Sequence, residues 1–233
     1  MEHGPRIVLY LLALGVSVIF HEQMHARVAH WLGDPTGKND NRLSWNPIHH
    51  IDPFLTIILP LILYISSSGR FVFGGAKPVM INPLNFRNPS LGMCLSAAAG
   101  PLSNFLLAGI GFVVCVALVH AAPSTLHAEN QLTWNGLFLG LFIFLNLFLG
   151  AFNILPLPGL DGSRILRHFL PRPLQASLDA IEPFALILTM VAVLFLGVQK
   201  ALYPVVVLFI VALQAATGPD FTRTLLAGLF PTP

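Results

Sequence analysis

Charge is what this sequence has least of. Among 233 residues only 9% are charged, 12 lysines and arginines against 10 aspartates and glutamates, where an average soluble domain carries roughly 25%. That deficit argues against a water-soluble globule. The formal net charge of +2, spread over scattered side chains, offers no basic face, so nucleic acid is excluded as a partner. Cysteine is also scarce. Cys94 and Cys115 share one apolar stretch and stand about 31 Å apart if it is helical, too far to bridge. Neither fits a zinc or redox spacing, and both read as small buried hydrophobes. The first apolar run is preceded by Arg6 alone and followed by no A-x-A site, so it reads as a retained helix and not a cleaved signal. Internal repeats and Ser-rich or charged linkers are missing as well.

What is present is apolar. The sequence is 55% hydrophobic with a mean hydropathy of +0.75, too rich in buriable surface for disorder. The expected class is an all-α polytopic membrane protein, with the lipid bilayer as its surroundings. Residues 1–233 are expected to form one membrane-embedded domain, its core over about 7–165 and its C-terminal helices over about 175–217. Four stretches, roughly 7–31, 91–119, 134–155 and 181–199, are long enough to cross, since a crossing takes about 20 residues. A fifth, about 201–216, follows the interfacial residues Lys200 and Tyr203 and is counted with them.

Residues 54–65 are too short to be read as a crossing without further argument, and Pro60 interrupts them; they suit a re-entrant segment. If they dip, five crossings divide lysine and arginine ten to two, with only Arg6 and Lys200 on the poorer side. If they span, the split is eight to four. The positive-inside rule favours the dip, placing the N-terminus outside and the C-terminus in the cytoplasm. Two β-favouring runs around Gly74, Gly75 and Pro78, within 71–83, predict a hairpin-like insertion that protein must cover.

The first helix carries His21-Glu22-Gln23-Met24-His25. At 3.6 residues per turn the two imidazoles share a face and can reach one zinc ion, with the Glu22 carboxylate beside them. Nine histidines in this chain would produce the H-E-x-x-H pattern by chance only roughly 0.006 times. Ionisable groups at hydrocarbon depth cost about 2.5–3.5 kcal/mol each and rarely occur without a task. Catalytic zinc takes three protein ligands and one open position. Between 91 and 160 the only acid is Glu129. Beyond it, Asn153-Ile-Leu-Pro-Leu-Pro-Gly-Leu-Asp161-Gly162 unwinds the end of a helix, and Asp161 is the candidate third ligand, with a turn-capping aspartate as the alternative. For Asn153 the choices are a donor to an oxyanion and a helix-to-helix hydrogen bond.

These motifs together resemble the site-2 protease family of intramembrane zinc metalloproteases. The likeness rests on H-E-x-x-H in an apolar helix, Ala99-Gly100-Pro101 opening a later one, and Asn153-x-x-Pro156-x-Pro158-x-x-Asp161-Gly162. Asn46-Pro-Ile-His-His-Ile-Asp-Pro53 and Gly75-Ala-Lys-Pro-Val-x-x-Asn-Pro83 are similar to the compact prokaryotic subgroup without an inserted PDZ domain. The resemblance implies one Zn2+ held by His21, His25 and Asp161, Glu22 as general base, and Asn153 on the carbonyl of a transmembrane protein substrate. It also implies the cell membrane of a prokaryote; independently of the family, the five-crossing topology puts His21 and Asp161 toward the cytoplasmic side. Gln23-Met24 stands where many relatives have Leu-Gly, and Ser163 where many have a second glycine; both departures spare the ligands. Two other readings remain at this point, a polytopic transporter and a relative that binds membrane segments without cutting them. His49, His50 and Asp52 read as a polar turn between prolines, with gating or metal binding as the alternative. Asn104 reads as a helix-to-helix hydrogen bond, Gly100 as a packing residue, and 163–172 as an amphipathic surface helix.

Overall fold

The computed structural model describes residues 3–66, 75–129 and 131–230. Helix α1 (His3–Trp31) is followed by the short α2 (Thr36–Asn39). A π-helical turn, Pro53–Ile58, then runs into α3 (Leu59–Ser66). The long helices α4 (Pro89–Ala121) and α5 (Trp134–Asn153) flank an antiparallel pair, β1 (His127–Ala128) and β2 (Gln131–Leu132). After them come α6 (Asp161–Phe169), α7 (Arg172–Ile181), α8 (Ala185–Phe195), α9 (Tyr203–Thr217) and α10 (Pro219–Leu229).

Five of these helical stretches, 5–31, 89–121, 134–153, 172–195 and 200–217, are long and apolar enough to cross a membrane. The protein is an integral membrane protein of all-α class. Leu102, Leu106, Ile110 and Val113 lie on one outward face of α4 and are 52–66% exposed, a stripe that lipid covers. The opposite faces close on a core that includes Ala13, Ala108, Cys115, Leu137, Leu141, Ile143 and Leu213. Both cysteines are buried and free. The π turn and α3 together rise about 21 Å, short of the roughly 30 Å hydrocarbon core, so 54–65 does not count among the spans.

One expectation changes. The termini meet at one end of the bundle: Arg6 donates to the carbonyls of Gly228 and Leu229 at 2.6 and 2.8 Å, capping the last turn of α10. At that same end His120 donates to Ala216 O at 2.9 Å, while at the other end Leu202 adjoins Phe148 and Ala151. Helix α9 therefore runs back toward the N-terminus of α1, and the termini do not lie on opposite sides. The α7–α8 stretch makes the difference, because Gln175 bonds to Leu170 O and Thr189 to Pro158 O, both at the Asp161 end. It also begins nine residues earlier than the apolar run, since Pro183 stands in the first turn of a 3-10 link, which needs no N–H from it.

The hairpin expected at 71–83 falls partly outside the described residues. Of the 71–83 insertion, 71–74 lie outside the described residues, and 75–82 form neither helix nor strand among the described residues. Among the described residues an antiparallel pair forms at β1 and β2, with His127 opposite Leu132 and Glu129 at a positive φ of 49°. The 75–85 segment spends its hydrogen bonds on loops: Gly75 N donates to Leu55 O, Lys77 N to His50 O, Asn82 N to Asp34 Oδ2 and Asn85 Nδ2 to Asp34 Oδ1.

Asp34 is fully buried and also accepts from the Thr36 amide and hydroxyl. Burial alone would raise its carboxyl, but these hydrogen bonds hold it below the usual carboxylate range. A depressed folded-state value stabilises the protein above the unfolded carboxylate range and is lost as pH falls through the folded value. Asp34→Asn is expected to cost about 2 kcal/mol at pH 7 and progressively less toward pH 3, read by thermal unfolding in detergent. A cost that stays constant with pH would show that ionised Asp34 does not brace the segment.

Candidate metal centre

Helix α1 presents His21 and His25 one turn apart with their rings edge to face, centroids 4.6 Å apart. Asp161 reaches them from the first turn of α6. The chain leaves α5 at Asn153, reverses through Gly159 at φ +82°, and re-enters helix at Asp161, where an acid suits the positive helix end. Gly162 permits the reversal: a Cβ there would lie 2.1 Å from Ile154 O and 2.3 Å from Leu155 O.

The three side chains converge. Nε2 of His21 and Nε2 of His25 are 3.0 Å apart, and Asp161 Oδ2 lies 3.1 and 3.3 Å from them. All three residues are buried, and they are the one His/Cys/Asp/Glu group among the described residues whose ligand atoms lie together in this way. The other nitrogens are committed. His21 Nδ1 donates to Asn104 Oδ1 at 2.6 Å and His25 Nδ1 to Ser96 O at 2.7 Å. Those protons leave both Nε2 atoms as bare lone pairs. Asp161 Oδ2 has no hydrogen-bond partner among the described residues. Three electron-rich atoms facing one another out of water are unfavourable unless a cation sits among them. Ligands of a tetrahedral zinc stand about 3.3–3.5 Å apart, so the set fits that ion.

Helix α4 forms the floor. Its Gly100 lies against both imidazoles: a Cβ would come within 2.4 Å of His25 Cε1 and Nε2 and 2.8 Å of His21 Cε1. Glu22 is half-buried on the neighbouring face of α1. Gln23 is fully buried and donates to Ser44 O at 2.7 Å, and Arg27 both bonds Gln23 and stacks over Trp45. Arg42, 1% exposed, donates to the carbonyls of His49 and Lys77. The 42–50 loop is thus strapped over the motif and tied to the 75–85 segment.

Other sequence candidates lie elsewhere. Asn153 Nδ2 donates to Leu149 O within its own helix at 2.9 Å and makes no described contact with the three. His50 is buried against Ser44 O, and Asp52 caps the π turn through the amides of Phe54 and Leu55, as a polar turn would. Glu129 sits at the far end with β1 and β2. Sequence reasoning missed Gly100 as a floor, and Asn104 bonds a histidine as well as another helix. The available signal was their i, i+4 spacing, which puts both on one face of α4.

A helix-borne histidine pair, a glutamate between them and a distant carboxylate, all within an apolar bundle, define a membrane metallopeptidase. The family model for peptidase family M50 matches residues 9–197. "Putative zinc metalloprotease YwhC" of Bacillus subtilis is 41% identical over 187 residues, covering 80% of this chain and 79% of that protein. "Putative zinc metalloprotease MJ0611" of Methanocaldococcus jannaschii is 32% identical over 161 residues, 69% of this chain and 70% of that one. "Putative zinc metalloprotease Rip2" of Mycolicibacterium smegmatis is 28% identical over 203 residues, 87% and 73% of the two chains. No solved structure matches. The chain belongs to peptidase family M50, the site-2 protease family, and is a zinc metallopeptidase of the membrane.

Proposed function

We infer that this protein is an intramembrane zinc endopeptidase that hydrolyses peptide bonds in or near the transmembrane segments of other membrane proteins. The observation that carries this reading is the convergence of the two histidine Nε2 atoms and Asp161 Oδ2 inside an apolar bundle. His21, His25 and Asp161 hold the metal. When bound, zinc supplies Lewis acidity toward a water and the scissile carbonyl. Glu22 accepts the proton of the attacking water and passes it to the leaving amine. Asn153, eight residues before Asp161, offers its amide to the developing oxyanion once that amide leaves Leu149 O. The intact Glu22 weighs against a relative that binds without cutting.

The substrate helix must unwind before attack, and the 75–82 segment suits that task. It is held on both sides by Lys77 and Asn82, while the backbone of 79–81 has no partner among the described residues. Val79, Met80 and Ile81 line a cavity of about 500 Å³ with Met93, Pro158 and Arg164. An unwound segment can add there as a strand. Alternate residues of a strand direct their amides to one edge, so Val79→Pro or Ile81→Pro removes a donor from the same edge. Cleavage of a helical substrate is expected to fall about tenfold; undiminished cleavage by both variants would rule out strand pairing.

Orientation follows from charge. The site end carries Arg27, Lys38, Arg42, Lys77, Arg87, Arg164, Arg167, Arg172 and Lys200, and the far end Arg6 and Arg223. Moving α9 exchanges Lys200 for Arg223 and leaves the bias intact, so the site faces the cytoplasm of a prokaryotic cell. The test of function is direct: protein in lipid nanodiscs with a transmembrane peptide, and mass spectrometry to locate the cut. Cleavage within the apolar segment, abolished by a chelator and restored by zinc, is the expected result. Cleavage confined to a water-exposed tail would overturn the intramembrane assignment.

A further inference from the structure

Behind His21 the bundle holds a chain of fully buried polar side chains that the hydrolytic mechanism does not use. Asn104, Asn146 and Ser17 come from α4, α5 and α1, and each is 0% exposed. Asn146 Nδ2 donates to Phe142 O at 2.8 Å and to Ser17 Oγ at 2.7 Å. The Ser17 hydroxyl spends its own proton on Ala13 O at 2.7 Å. Asn104 Nδ2 donates to Asn146 Oδ1 at 2.8 Å and to Ser17 O at 3.2 Å. Asn104 Oδ1 then meets His21 Nδ1 at 2.6 Å.

The direction of every bond in this chain is fixed by its ends. Backbone carbonyls can only accept. Phe142 O therefore demands the NH2 of Asn146, and Ala13 O demands the hydroxyl proton of Ser17, which leaves that oxygen free to accept the second Asn146 proton. Asn146 must turn its carbonyl oxygen toward Asn104. That oxygen and Ser17 O in turn demand the NH2 of Asn104, whose own oxygen is left for the imidazole. Reversing either amide would face donor to donor and acceptor to acceptor in a site without water, a costly arrangement.

We propose that Asn146, through Asn104, is a positioning residue that fixes His21 in the Nδ1–H tautomer and so presets its Nε2 lone pair for the metal. The inference rests on the zinc-site reading above. Asn146 does not touch the imidazole; with Ser17 O it determines which end of the Asn104 amide does, and its bond of 2.8 Å is the shorter of the two. Removing it leaves only the longer bond to Ser17 O to hold the Asn104 NH2, so a fraction of the protein turns that NH2 to His21, which favours the tautomer whose proton sits on Nε2, where a cation cannot bind. Outer-shell partners of this kind typically carry 10- to 100-fold in metal affinity.

The experiment uses the full chain in detergent, with zinc itself as the probe. Asn146→Leu is expected to weaken zinc about tenfold in chelator competition. In the metal-free protein, the side-chain 15N shifts of His21 are expected to move from the Nδ1–H pattern toward a tautomer mixture. Ser17→Ala, which removes one of the two Asn146 acceptors with little loss of bulk, is expected to weaken zinc in the same direction, severalfold. Asn104→Asp supplies acceptors on both atoms, so Asn146→Leu added to that background should cost little further affinity. A purely structural role for Asn146 would cost the same in both backgrounds, and that result would overturn the proposal, as would a pure Nδ1–H His21 in metal-free Asn146→Leu. Failure of wild-type protein to bind zinc at all would instead sink the zinc-site reading, and this proposal with it.

Discussion

Glu22→Gln is expected to keep about one zinc per chain and to cut no faster than roughly a thousandth of the wild-type rate. The substitution preserves size and the capacity to accept one hydrogen bond, but an amide cannot take a proton from water near neutral pH. Glu22 lies between the two histidines in sequence, outside the cluster formed by their Nε2 atoms and Asp161 Oδ2. Metal affinity should therefore be nearly unaffected, while His21→Ala or Asp161→Ala should lose both metal and activity. Each of those two leaves only two of the three buried donors, below the complement of a catalytic zinc site. Metal content by elemental analysis, set beside cleavage of a transmembrane peptide, separates the cases. Proteolysis retained by Glu22→Gln would refute the assigned base. Zinc retained at wild-type affinity by Asp161→Ala would refute the ligand set.

The contrast between these variants follows the part of the site that the sequence makes legible. His21 and His25 are four apart on one helix, so their proximity is local geometry and needs no tertiary information. Asp161 is legible for a different reason: Pro156, Pro158 and Gly159 prevent α5 from continuing, and an acid beyond such a break in an apolar chain has few uses. Crossing lengths follow from composition in the same way. The direction of α9 does not, because it depends on whether α7–α8 traverses the bundle or stays with Pro158 at one end, and apolar content is the same in both cases. Gly74, Gly75 and Pro78 mark a turn-rich segment without revealing that its partners are Asp34 and Arg42. Gln23 looked like a departure within the motif and proved to be the strap that binds the 42–50 loop. Asn146 and Ser17 carry no motif at all; their roles exist only where three helices meet.

Gly100→Ala tests the floor of the site against the usual behaviour of helices. In a helix interior this exchange ordinarily stabilises by about 1 kcal/mol, because alanine has less backbone freedom to lose. Gly109 on the same helix should behave that way, since a Cβ there meets nothing within 4 Å. At Gly100 the new methyl would lie 2.4 Å from the His25 ring and 2.8 Å from His21, about an ångström inside ordinary contact. The imidazoles cannot retreat freely, because Asn104 and Ser96 O hold their Nδ1 atoms. Either those two bonds break or α1 moves off α4, and in both cases Nε2 leaves the cluster. Zinc affinity is expected to fall by about a hundredfold or more and cleavage to vanish with it, while the Gly109→Ala control binds zinc normally. Melting of the metal-free proteins should show a much smaller difference, because the empty site can relax around the methyl. If Gly100→Ala binds zinc as tightly as wild type, the imidazoles do not rest on α4, and the packing that brings Asp161 to them must be drawn differently.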